Sequence, residues 1–236
     1  MNIKNTKSFM QFYNELGLNE VFSKKTSGKL KINTNFKKGK ILSTSKNKEK
    51  LLKNLEAEIL NLDIGLKDTA TNLVFGSGNV NADVMVLGDA PDSEDDREGQ
   101  PFQGEIGNLL EKILGSIGLT NKNTYLSNLV FWRPPGNRIA NQDEVNLCLP
   151  YTEKHIKIIN PKYLILLGGI TSKSILKTEK NITQLRGSYY ASKFFEKVQI
   201  FPIFHPKFLI QNSLEKKKTW FDLLYISKII NNKGNE

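Results

Sequence analysis

Residues 83–96 read DVMVLGDAPDSEDD, and their reading decides the fold. Val84 to Leu87 form an apolar run too short for a helix, closed by Gly88 and Pro91, which marks a strand buried on both faces. The pattern recurs at Tyr163–Gly168 (YLILLG) and Val198–Phe204 (VQIFPIF), with a weaker version at Thr124–Ser127. Between these strands lie apolar residues at helical spacing: Leu109, Leu110, Ile113, Leu114 and Ile117, then Val145, Cys148, Leu149, Thr152, Ile156 and Ile159, then Ile170 to Leu176. Pro150 is expected to kink or split the second of these helices. A last helix over Thr219–Ile230 offers Trp220, Leu223, Leu224 and Ile230. Strands alternating with helices predict an α/β fold, a parallel sheet with helices on both faces.

Upstream the composition changes. Residues 1–50 hold twelve lysines, three glutamates and no arginine, a charge of +9 out of +10 for the 236-residue chain. Spacing of Phe9, Phe12, Tyr13, Leu16 and Leu18 suggests a short helix over 7–22, and the Lys-, Ser- and Asn-rich stretch 23–47 reads as a flexible linker. Leu51, Leu52, Leu55, Ile59 and Leu62 then mark an amphipathic helix. The expected organisation is therefore a basic extension over 1–47 and one α/β domain over 48–236. A basic arm on a near-neutral body suits attraction to a polyanion such as DNA. No apolar run is long enough to span a membrane and no secretory signal is evident, so a soluble, cytoplasmic monomer is expected. Cys148 is the sole cysteine, which excludes an internal disulfide or a metal site built of thiolates. No G-x-G-x-x-G or P-loop is present, which argues against nucleotide chemistry.

In open α/β sheets, ligands bind beyond the carboxyl ends of the strands. After the first strand come Asp89, Ala90 and the acidic run to Asp96, then the turn GQPFQG presenting Phe102. Asn128 ends the second strand and leads to WRPPGNR, with Arg133 and Arg138. His205-Pro206 follows the last strand, and then Lys207 to Ile210. A carboxylate, an aromatic ring, an amide and an imidazole thus converge on one rim. That set suits cleavage of a nucleobase from deoxyribose through an oxocarbenium-like sugar. The carboxylate would stabilise the sugar and orient water, the imidazole would meet charge on a base carbonyl, the amide would read the base edge, and the ring would stack on it.

GDAPDSED, GQPFQG, LSNLVFWRPPGNR and FHPKFL resemble, in order and spacing, the signature segments of the uracil-DNA glycosylase superfamily, closest to its family 4. The resemblance covers about residues 72–225. It implies a three-layer α/β/α sandwich around a four-stranded parallel sheet and hydrolysis of the glycosidic bond of flipped-out uracil in DNA, initiating base excision repair. It assigns Asp89 and His205 to catalysis and Gly88, Ala90, Phe102 and Asn128 to the base. Lys207, Phe208 and Leu209 fall in the loop that enters the minor groove, while Arg133 and Arg138 are candidates for phosphate or for nearby carboxylates.

Several positions depart from that family. The family's four cluster-binding cysteines fall approximately on Asn61, Ile64, Trp132 and Cys148, so no [4Fe–4S] cluster, no metal and no other cofactor is expected. In this the chain resembles a cluster-free variant associated with alphaproteobacteria. Asp89 stands for a glutamate, Asp92 for a glycine and Gln211 for an arginine. These changes keep two alternatives in view: a catalytically weak DNA- or base-binding module, and a glycosylase shifted toward deaminated purines. Glu94 and Asp95 read as capping or solvent-facing, His155 as surface and Cys148 as a buried, inert thiol.

Overall fold

The computed structural model describes residues 42–191, 195 and 197–232. In chain order the elements are α1 (Leu42–Leu60), β1 (Ser77–Gly78), β2 (Val84–Gly88), α2 (Ser93–Glu98), α3 (Gly104–Gly115), β3 (Thr124–Asn128) and α4 (Gln142–Ile159). Then follow β4 (Tyr163–Leu167), α5 (Gly169–Leu176), α6 (Ile182–Leu185), β5 (Tyr190–Ala191), β6 (Gln199–Ile203), α7 (Pro206–Gln211) and α8 (Lys216–Asn232).

The sheet order is β1-β3-β2-β4-β6-β5. The four strands read from the sequence lie at its centre and are all parallel. The expected four-stranded parallel sheet is nevertheless a six-stranded mixed one, because β1 and β5 pair antiparallel on its edges. Each edge strand is two residues long. Two residues cannot show a period, so no sequence pattern announces them.

Alternation along the central strands divides the core. Met85, Leu87, Leu164, Leu166 and Ile200 face one side, against Leu55 and Ile59 of α1, Cys148 and Ile156 of α4 and Ile175 of α5. Val84, Val86, Ile165, Phe201 and Ile203 face the other, against Leu110 and Leu114 of α3 and Ile226 of α8. Helices thus cover both faces, as parallel strands require.

Three local expectations change. Helix α1 begins at Leu42, inside the stretch read as linker; the rest of the expected extension lies outside the described residues. Lys48 explains much of this, since its ammonium donates to the Ile159 carbonyl at 2.6 Å, a long-range anchor invisible to composition. Helix α4 runs through Pro150 without a break. Pro150 and Asn146, whose carbonyl loses its partner, are both exposed, so water can satisfy that oxygen. Finally, His155 is not on the surface but fully buried. It stacks on Phe75 with ring centroids 4.3 Å apart, and its Nε2 lies 2.9 Å from the Tyr125 hydroxyl. Among the described residues, no helix is long and apolar enough to cross a membrane.

Candidate active site

Register builds the floor of the site. Gly88 and Asn128 end β2 and β3 as partners, and pairing continues one step further as the Leu129 N–H donates to the Gly88 carbonyl. On the other side the Gly168 N–H donates to the Ile203 carbonyl, which sets the ends of β4 and β6 level. The segments after all four strands therefore open at one edge. There a cavity of about 270 Å³ is lined by Asp89, Ala90, Phe102, Ile139, His205 and Phe208, among others. This is near the ~300 Å³ at which small-molecule sites begin.

Two glycines make the convergence possible. A Cβ at Gly88 would lie 2.5 Å from the Asn128 carboxamide oxygen and 2.7 Å from the Phe102 ring. A Cβ at Gly168 would lie 2.9 Å from Asp89 Oδ2 and 3.3 Å from His205 Cβ, and its φ of +93° already favours glycine. Asn128 and Phe102 thus meet beside Gly88, and Asp89 and His205 beside Gly168. The four groups expected from separate segments are neighbours.

Each carries a distinct chemical state. Asn128 is buried, and its Nδ2 has no hydrogen-bond partner among the described residues. An orphaned buried donor is costly, so it is poised to gain from a ligand acceptor. The His205 Nδ1 accepts the N–H of Lys207 at 3.1 Å. In the neutral ring the proton must then reside on Nε2. Burial holds this imidazole below its ordinary value, with the Asp89 carboxylate partly opposing, so the neutral form prevails. Asp89 Oδ1 accepts the backbone N–H of Thr171 at 3.0 Å and also its hydroxyl.

The acidic run has structural duties, and Asp95 does cap, as the sequence allowed: its Oδ2 accepts the Asp92 N–H at 3.3 Å in a capping box. Asp92 caps α2, accepting from the N–H groups of Glu94 at 2.8 Å and Asp95 at 3.1 Å. Its φ is −100°, so nothing at this position demands glycine. Asp95, far from facing solvent, is buried and accepts the Gln103 N–H at 2.6 Å. Burial pushes its carboxyl up to about 6 despite that bond. The bond pins the chain beside Phe102, which sits at a φ of +58° with its carbonyl packed on Gly107. A left-handed phenylalanine is held by its surroundings rather than by preference.

Residues 75–226 match the family described as the uracil DNA glycosylase superfamily. The chain belongs to that superfamily. It is 38% identical over 148 residues to the type-4 uracil-DNA glycosylase of Sulfurisphaera tokodaii, covering 60% of this chain and 67% of the relative. The type-4 uracil-DNA glycosylase of Saccharolobus solfataricus is 33% identical over 168 residues, 69% of this chain and 78% of the relative. That of Archaeoglobus fulgidus is 34% identical over 146 residues, 60% and 73% of the two chains.

Within this superfamily frame, several expected contacts need correction. Leu209 cannot enter a groove: it is fully buried against Ile113, Phe204, Trp220 and Leu223. Its neighbour Phe208 is 39% exposed at the cavity mouth, as helical geometry demands when the next residue turns inward. Arg138 makes two bonds to Glu144, at 2.9 and 2.5 Å, which hold the Glu144 carboxyl below its ordinary range. Arg133 donates to Asn137 at 2.8 Å and lies 3.8 Å from Asp96. Both arginines therefore already have protein partners. Lys207 stays exposed, its ammonium 3.4 Å from the Asn137 carbonyl.

A four-thiolate cluster does not fit these residues. Ile64, Trp132 and Cys148 are packed together in one hydrophobic cluster, and Lys67 lies 5.8 Å over the Trp132 ring. Burial pushes the Cys148 thiol up to about 11, the reverse of what a metal-binding thiolate needs. Sequence reasoning missed Thr171, Ile139 and the role of Asp95. Thr171 begins an apolar helix, and no local signal links it to a carboxylate 82 positions earlier.

Proposed function

We propose that this chain hydrolyses the N-glycosidic bond of uracil flipped out of DNA and leaves an abasic site. The observation that carries the reading is that Asp89, Phe102 and His205 line one cavity, while Asn128, its buried Nδ2 unpartnered among the described residues, meets the Phe102 ring at Gly88. Uracil stacked on Phe102 would accept from Asn128 Nδ2 through O4 and donate N3–H to Asn128 Oδ1. The Nε2–H of neutral His205 would donate to O2, where charge gathers as the C1′–N1 bond breaks. Asp89 would stabilise the cationic sugar and take a proton as water adds to C1′. The uracil anion leaves and is protonated from solvent. No step calls for a metal or cluster, and this chain's own residues supply each role.

DNA contacts follow the exposed groups. Lys207 offers a cation for phosphate and Phe208 an apolar wedge for the emptied stack. The basic first 50 residues, at +9, add sequence-independent attraction that salt would screen. The test uses uracil-containing single- and double-stranded oligonucleotides, with alkali to cut at abasic sites. Scission by the wild type, lost in Asp89→Ala and His205→Ala, is the expected result. Binding without scission would leave a base-binding module, and scission only at deaminated purines would move the specificity.

A further inference from the structure

Asp89 is expected to act on water, yet its carboxylate is tied to a residue that faces no substrate. Thr171 is fully buried in the first turn of α5 and gives Asp89 Oδ1 both its N–H, at 3.0 Å, and its hydroxyl. Across the carboxylate lies Gly168, where a Cβ would come within 2.9 Å of Oδ2. Among the described residues no hydrogen-bond donor reaches Oδ2. One oxygen is thus clamped, and the other is left for water and sugar.

We propose that Thr171 is a positioning residue that sets Asp89 for the hydrolytic step. An unrestrained aspartate at a strand end readily turns onto N–H groups of its own loop. Two donors on a single oxygen select one rotamer instead, and both come from Thr171, whose backbone N–H is fixed in α5 and cannot follow the side chain. Asp89 is also one methylene shorter than the glutamate it resembles in family 4, so its placement leaves less slack. The backbone N–H alone caps α5. The hydroxyl is the component that a purely structural role would not need.

This inference rests on the glycosylase reading, so the experiment begins with the wild type. If the intact protein releases no uracil under single-turnover conditions, that reading fails and this one falls with it. Given activity, Thr171→Val keeps shape and backbone N–H but removes the hydroxyl, while Thr171→Ser keeps the donor. The expected result is a single-turnover rate lowered at least about tenfold in Thr171→Val, the range of a hydrogen bond to a charged group. Affinity for uracil-DNA stays within about twofold, and Thr171→Ser retains most of the rate. In an Asp89→Asn background, Thr171→Val adds no further loss, because residues acting through one another are non-additive. Wild-type rate in Thr171→Val, equal loss in Thr171→Ser, or additive losses in the double variant would each overturn the proposal.

Discussion

Asn128 stands directly against Gly88: the two are register partners, and a Cβ on the glycine would come within 2.5 Å of the carboxamide oxygen. The same Cβ would meet the Phe102 ring at 2.7 Å. Gly88→Ala should therefore displace the edge-reading amide and the stacking platform together. Displacements near 1 Å cost about a hundredfold in rate. Single-turnover excision is expected to fall by that order while the far-ultraviolet circular dichroism is unchanged. Full activity in Gly88→Ala would show that neither group sets the base.

The acid side of the rate profile should reflect His205. Its imidazole is held below the ordinary value of 6.5 chiefly by burial. A lowered value means that the neutral, donating form survives to more acid pH than a free histidine would allow. The acid limb should therefore lie below the pH at which a free histidine would protonate. His205→Asn keeps a donor and should retain more rate than His205→Ala at pH 7, with the acid limb altered in both.

Adjacent residues of α7 should separate binding from folding. Phe208→Ala removes a partly exposed ring that packs on Phe204, so affinity for uracil-containing duplex should drop with only a small fall in melting temperature. Leu209→Ala opens a cavity in the core and should cost about 2–5 kcal/mol of stability in urea unfolding. The reverse pattern would place the wedge elsewhere, with Ile139, 74% exposed on the same cavity, next in line.

Acid should weaken the fold through His155. Burial lowers its imidazole from 6.5 to about 3, so between those values the unfolded chain binds a proton that the native one refuses. Stability is then fully present above pH 6.5 and declines as pH falls toward 3, by up to about 1.4 kcal/mol per pH unit. His155→Phe should be less stable at pH 7, because the Tyr125 hydroxyl loses its partner. Its denaturation midpoint should vary less with pH, narrowing the gap to wild type at pH 4.5. Parallel curves would place the acid sensitivity in another group.

The purified protein should be colourless and contain no stoichiometric iron. Cys148→Ala should keep its glycosylase rate, with a modest loss of stability from the vacated core volume. Visible absorbance typical of an iron–sulfur cluster, lost in Cys148→Ala, would reverse this view.

Much of the architecture was legible because parallel strands advertise themselves as short apolar runs. The four read from sequence match β2, β3, β4 and β6 to within a residue or two. Asp89, Phe102, Asn128 and His205 were legible as a set because Asn128 ends a strand, Asp89 and His205 come just after one and Phe102 sits in a Gly/Pro turn further on, and the rule about carboxyl ends needs no contacts. Residues whose duty is long-range were not. Thr171 and Asp95 act through partners distant in sequence or through backbone geometry, which no local window contains. His155 shows the opposite failure: Cys148, Thr152, His155 and Ile159 share one helical face, and all four are buried. Spacing pointed inward, and polarity alone suggested solvent. Leu209 was misplaced because a loop-like motif is in fact a helix, whose successive side chains diverge by about 100°.

Phe102 is fixed in a backbone conformation that phenylalanine avoids, by a buried carboxylate behind it and a glycine beneath it. A wall held in this way should resist reshaping around a visitor. The cavity should accordingly behave as a rigid gauge, admitting or refusing a base on arrival rather than moulding itself around one. Broadening its appetite by evolution or design would then mean recarving the acidic turn that supports the ring, not the residues that touch the base.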